Sequence, residues 1–320
     1  MIEPILQDIH NKYVKLPVQY PDLEKLYITH RDLIWMENEV DLSQDLIQWA
    51  KIGDDKQHFI KHVLAFFAAS DGIIMENIFA NFGNEVQIAD ARSFYAIQNF
   101  IEDIHSRMYS KLIVTYINDP IEQDNTLRAI ETMPAVTKKA NWAKKWITND
   151  SPFILRLIAI AIVEGVFFAG SFCAIYYFAE YNILQGLVNS NKFIARDEAL
   201  HVTFAVALSK HIINKPSQEE ITTIITEAVE IEKEFITEAL KCSLLGMNDK
   251  MMSTYIEFVA HRLMGQFGYT SPYTNSRCPF PFMDKIALAN QTAFFDSRPT
   301  EYKKNSSANQ AVSLEFDDDF

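Results

Sequence analysis

Residues 99–117 read NFIEDIHSRMYSKLIVTYI, and residues 193–208 read FIARDEALHVTFAVAL. Each stretch holds one Glu-x-x-His turn, Glu102–His105 in the first and Glu198–His201 in the second. Residues three apart share a helix face, so a carboxylate and an imidazole at this spacing can reach the same ion. Spacing alone is weak, because 22 Glu and 8 His give about half a match by chance. The surroundings carry more weight. Ile97, Ile101, Ile104 and Met108 recur at helical spacing around the first turn, and the second also lies in an apolar stretch.

Two further carboxylates stand in strongly apolar runs, Asp71 in HVLAFFAASDGII (62–74) and Glu164 inside the run from Leu157 to Phe178. A buried carboxylate is costly unless paired or bound to a metal. Four helices would then supply a carboxylate, a Glu-x-x-His, a carboxylate and a second Glu-x-x-His. That is nearly the ligand recipe of the ferritin-like di-iron and di-manganese bundles, with Asp71 where a Glu is usual. Oxygen ligands with two imidazoles suit Fe or Mn better than a thiolate-seeking metal. The predicted fold is all-α: a ferritin-like helical bundle over residues 1–295, with extra helices, followed by a flexible tail, 296–320. Helical spacing places helices near 23–35, 42–50, 54–83, 86–117, 122–131, 135–147, 152–180, 184–213, 217–242 and 248–268. Ser217 and Glu220 have the form of a capping box at the start of one of them.

Composition narrows the function classes. The formal net charge is −13, and no basic stripe offers a site for a nucleic-acid backbone. The nine glycines do not cluster, so no phosphate-cradling loop is present. Cys173, Cys242 and Cys278 are odd in number and widely spaced, as in a chain of the reducing cytoplasm, and the N-terminus lacks the pattern of a secretory signal. The run 157–178 is long enough to span a bilayer. Glu164 within it, the absence of a second span and the weakly basic flanks favour instead the central helix of a large bundle.

Tyr109 follows His105 by four residues and Glu102 by seven, which puts its phenol on the ligand face. Phe168 and Phe172 follow Glu164 by four and eight. Together they suggest a dry pocket around a reactive tyrosine. His58 and His62, Asp55 and His58, and Glu257 and His261 share helical spacing but lack the same apolar, carboxylate-rich setting, and they read as surface or structural pairs.

With these residues in place, the chain resembles the small, radical-generating subunit of class I ribonucleotide reductase, in its eukaryotic and poxviral form. The resemblance runs through KHVLAFFAASDG, EVQIADARSFYAIQ, IEDIHSRMYS, AIETMPAV, KKANWAKKWI, VEGVFFAGSF, ARDEALH and MMSTYIEFVAHRL. It implies that Asp71, Glu102 and His105 bind one iron and Glu164, Glu198 and His201 the other, with a carboxylate bridging. It implies that the reduced di-iron centre activates O2 and oxidises Tyr109 to a stable radical, in a pocket lined by Phe168, Phe172 and Ile194. Trp35, in RDLIWMENEVDLSQD, would pass electrons through Asp197 and His105. Tyr302, in RPTEYKK, would relay the radical to the large catalytic subunit, on which the terminal SLEFDDDF would dock. A homodimer is implied as well.

Asp103 and Arg107 stand where the family commonly has Asn and Glu, and Ala195 and Ala199 also depart from its pattern. None of these is a ligand. The short N-terminus is expected to leave nucleotide control to the partner. A stand-alone di-metal oxidase on the same bundle, or a scaffold with a vestigial site, would have no use for Trp35, Tyr109 and Tyr302 as an export route.

Overall fold

The computed structural model describes residues 3–8, 12–147, 151–239, 241, 247–274 and 277–283. Among them the regular structure is helical throughout. The order is α1 (Pro21–Asp32), α2 (Ser43–Trp49), α3 (Asp54–Asn77), a π-helical turn (Ile78–Phe82), α4 (Gly83–Glu85), α5 (Ala89–Tyr116), α6 (Pro120–Leu127), α7 (Ala129–Thr132), α8 (Pro134–Trp146) and α9 (Phe153–Ile162). A second π turn (Val163–Phe167) leads into α10 (Ala169–Glu180), then α11 (Gln185–Lys210), α12 (Gln218–Glu234), a third π turn (Phe235–Ala239) and α13 (Asp249–Gln266).

The predicted helices are all found, with informative differences. The first ends at Asp32, so Trp35 lies in the link that follows. The expected helix 122–131 is broken at Arg128, which separates α6 from α7. Starts follow local chemistry. Pro21, Pro120 and Pro134 each occupy the first helical position, where no N–H is needed. Ser217 and Glu220 close the expected capping box on α12.

The core is built from α3, α5, the continuous α9–π–α10 element and α11. α3 packs on α5, α9 and α10 lie against α11, and α1 bridges α5 and α11 on the outside. In the apolar element Phe153–Glu180, 94% of the most apolar window is buried within the protein. It is the central helix of the bundle, as its lone carboxylate suggested.

The start of α11 is set by a distant side chain. Asp45, buried on α2, accepts hydrogen bonds from the backbone N–H groups of Gly186 (2.9 Å) and Leu187 (2.8 Å) and from the Tyr116 hydroxyl (2.7 Å). It thereby satisfies amide donors that the first helical turn leaves unpaired. A Cβ at Gly186 would lie 2.8 Å from the Asp41 carbonyl oxygen and from Asp45 Oδ2, so a larger residue would push the cap away. This contact fixes the register of the helix that carries Glu198 and His201.

Candidate metal centre

Each core helix delivers its carboxylate to one interior volume. Asp71 comes from α3, Glu102 and His105 from α5, Glu164 from the π turn between α9 and α10, and Glu198 and His201 from α11; all six are buried. Their ligating atoms form two overlapping groups, Asp71–Glu102–His105 and Glu102–Glu164–Glu198–His201, with atoms in each group within 4.8 Å of one another. Glu102 belongs to both groups. Glu198 reaches both histidines, with its oxygens 3.1 Å from His105 Nδ1 and 3.2 Å from His201 Nδ1.

The donor set fits a pair of cations. Both Asp71 oxygens, Glu102 Oε1, His105 Nδ1, Glu164 Oε2 and Glu198 Oε1 are buried without a hydrogen-bond partner among the described residues. So many inward-facing acceptors are costly in a protein interior unless a cation satisfies them. The electrostatics agree. Burial and the neighbouring Glu102 carboxylate raise the Asp71 pKa well above the usual range, and burial raises that of Glu164. Burial opposes ionisation of Glu102 too, but the adjacent imidazoles hold its pKa low. Both histidines are driven upward, against burial, by the carboxylates around them. A donor set of oxygens and imidazoles is that of a hard or borderline metal such as iron or manganese.

The outward edges of the two histidines differ. His105 Nε2 lies 3.3 Å from Asp197 Oδ2, and the Trp35 indole N–H donates to the same oxygen at 2.8 Å. The Arg196 guanidinium donates to Asp197 Oδ1 (2.9 Å) and to the Leu33 carbonyl (2.8 Å), tying the carboxylate to the Trp35 segment. Asp197 is therefore held ionised, its pKa lowered despite burial by Arg196 and His105. His201 Nε2 instead meets the Nε2 of His30, at 2.9 Å.

Tyr109 is fully buried, and its hydroxyl has no hydrogen-bond partner among the described residues. Burial, then the Asp71 charge, pushes its pKa well above 10 and keeps the phenol protonated. Its ring stacks on Phe67, with centroids 4.8 Å apart, and Phe67 in turn meets Phe168 at 4.9 Å and Phe172 at 5.1 Å. Ile194 is buried as well. The expected aromatics thus form one cluster with Tyr109, with Phe67 of α3 as the ring between them.

Glu164 itself lies in a π turn. The turn interrupts the α-helical repeat between Glu164 and Phe168, so faces cannot be counted straight through. Two buried side chains stabilise the break. The Lys139 ammonium donates to the Phe167 carbonyl at 2.9 Å and pairs with Glu232 at 2.5 Å. A Cβ at Gly170 would lie 2.6 Å from Glu232 Oε1 and 2.5 Å from Ile236, so only glycine admits the carboxylate. Lys139 is flanked by the rings of Phe66 (3.6 Å) and Phe235 (3.7 Å).

Gln98, one turn before Glu102, donates to Glu164 Oε1 at 3.0 Å and orients it. Gln98, His30, Lys139 and Glu232 escape a reading based on ligand spacing, because their role is visible only across helices. The other histidine pairs stay apart from the centre. His62 Nδ1 contacts the His58 carbonyl, His261 Nδ1 contacts that of Tyr273, and Glu257 pairs with Lys233. Asp103 and Arg107 form an exposed ion pair with each other, so these two departures are a matched surface change. Tyr302 and the expected tail, 296–320, lie outside the described residues.

The profile of the family "Ribonucleotide reductase, small chain" matches residues 12–279. The chain is 50% identical over 304 residues to a ribonucleoside-diphosphate reductase small chain of Spisula solidissima, covering 95% of this chain and 79% of that one. It is 50% identical over 303 residues to the small chain of Vaccinia virus (strain Ankara), covering 95% of each. Among solved structures, a ribonucleotide reductase homodimer from Saccharomyces cerevisiae superposes with a TM-score of 0.75 and 32% identity, covering 86% of this chain and 89% of that one.

Proposed function

The chain belongs to the ribonucleotide reductase small-chain family, and on that premise we propose that Asp71, Glu102 and His105 hold one iron ion and Glu164, Glu198 and His201 the other. Glu102 and Glu198 face both positions and would reach either ion. The enzyme is ribonucleoside-diphosphate reductase, and this chain is its small subunit. When bound, the iron pair supplies O2 activation and the one-electron oxidation of Tyr109; manganese is the other metal the donor set accepts.

The protein's own contribution is position and shelter. Tyr109 is held protonated before the reaction, and a pocket of Phe67, Phe168, Phe172 and Ile194 keeps water and reductants from the ring once it is oxidised. Trp35, Asp197 and His105 form a hydrogen-bonded file that carries electrons between the bundle's outer layer and the metals. Tyr302 continues the route to the large catalytic subunit, where ribonucleoside diphosphates are reduced, and the terminal SLEFDDDF docks there. The bundle domain covers 1–295 and the tail 296–320. The functional form is a cytoplasmic homodimer paired with the large subunit. The observation that carries this reading is the set of inward-facing, otherwise unpartnered ligand atoms beside a buried tyrosine.

Two experiments test it. Apoprotein titrated anaerobically with Fe(II) is expected to bind a pair of ions per chain, and Glu198→Ala, which removes a carboxylate that faces both positions, to lose at least one of them by metal analysis. Full loading of Glu198→Ala would contradict the ligand role. A synthetic peptide of residues 313–320 is expected to inhibit the assembled enzyme by competing for the large subunit. Undiminished activity at high peptide excess would reject tail docking.

A further inference from the structure

His30 sits in the last turn of α1, fully buried, and its Nε2 is 2.9 Å from His201 Nε2. The other nitrogen of His201, Nδ1, faces the carboxylates of Glu102 (3.1 Å), Glu198 (3.2 Å) and Glu164 (3.6 Å). A ring nitrogen that binds a cation carries no hydrogen, so the neutral ring must carry it on Nε2. That N–H points at His30, whose Nε2 must then accept and whose own hydrogen must sit on Nδ1. His30 Nδ1 is buried without a hydrogen-bond partner among the described residues. An unpaired buried donor costs stability, so an apolar residue would suit this place better if packing were its only task.

We propose that His30 is a positioning residue for the second metal site: it accepts the outward N–H of His201, fixes that ring's tautomer and orientation, and makes the two metal positions chemically unequal. The inference rests on the reading of His201 as a metal ligand. The inequality follows from what backs each histidine. Asp197, an anion held by Trp35 and Arg196, stands behind His105 and makes it a stronger electron donor to a metal. A neutral imidazole stands behind His201 and does so less. The position served by His105 and Asp71 is therefore the tighter one and fills first, and the position served by His201 and Glu164 fills second.

The test compares His30→Met with His30→Gln, side chains of similar length of which only Gln can accept a hydrogen bond. Apoprotein of each is titrated with Mn(II) and binding is followed by calorimetry and by the electron paramagnetic resonance of free Mn(II). Wild type is expected to show two unequal affinities. His30→Met is expected to weaken the lower one by about 10–100-fold and leave the higher one in place, while His30→Gln restores most of the loss. Should the Met variant fail to fold, His30→Leu takes its place in the same comparison. Wild-type affinities in a folded Met or Leu variant, or equal losses in the apolar and Gln variants, would overturn the proposal. His201→Ala separates the two levels. If it binds both ions normally, the ligand reading itself is wrong; if it loses one ion while His30→Met is unaffected, only the role of His30 is wrong.

Discussion

Tyr109→Phe, given Fe(II) and O2, is expected to load its metals, keep its fold and show no tyrosyl radical by electron paramagnetic resonance. With the large subunit present, deoxyribonucleotide formation should fall by on the order of 10³-fold or to the assay background, since a residue that acts only in the reactive step has been removed. The substitution is unusually clean. The ring that stacks on Phe67 is preserved, and the lost hydroxyl has no hydrogen-bond partner among the described residues. Melting of the apoprotein should therefore change little. A radical of wild-type intensity in the Phe variant would place the oxidised residue elsewhere.

The second large effect lies away from the metals. Lys139 and Glu232 are buried together, and burial brings the lysine pKa down to about 8 and the glutamate pKa up to about 7. Each charge is tolerable only because of the other and the backbone groups they serve. Lys139→Met alone, or Glu232→Leu alone, leaves one uncompensated group and is expected to cost about 3–5 kcal/mol, or about 5–8 °C in the melting of a chain this long. The double variant should recover most of that loss, as apolar replacements of buried pairs commonly do. The radical tells a further story. Without the pair, the Phe167 carbonyl loses its Lys139 partner, so the π turn that carries Glu164 relaxes. A shorter radical lifetime is then expected even in the double variant. Singles that melt like wild type would show that the pair is no brace.

Much of the candidate metal site was legible because residues that could share an ion obey short-range rules. Glu102–His105 and Glu198–His201 are one helical turn apart, and Asp71 and Glu164 stand out as lone charges in apolar runs. One helix start was legible for a similar reason, since the Ser217–Glu220 box is a local signal. What escaped was anything decided between helices. The π turn at Val163–Phe167 has no signature in its residues, and its support comes from α8 and α12. Phe67 enters the tyrosine pocket through the packing of α3 against α5. His30, with no carboxylate at ligand spacing in an apolar setting, gave no sign of facing His201 across the fold.

Residues 30–35 deserve a last consequence. Within these six positions His30 backs one metal histidine, the Leu33 carbonyl holds Arg196 on Asp197, and Trp35 bonds the carboxylate behind the other histidine. The strip is a common outer wall for both halves of the centre, contributed by the end of α1 and the link after it, neither of which supplies a candidate ligand. Any displacement of the end of α1 detunes both imidazoles together, whereas a substitution at one of these positions detunes a single half. Variation along this strip would thus retune the proposed metal centre while its six candidate ligands stay unchanged.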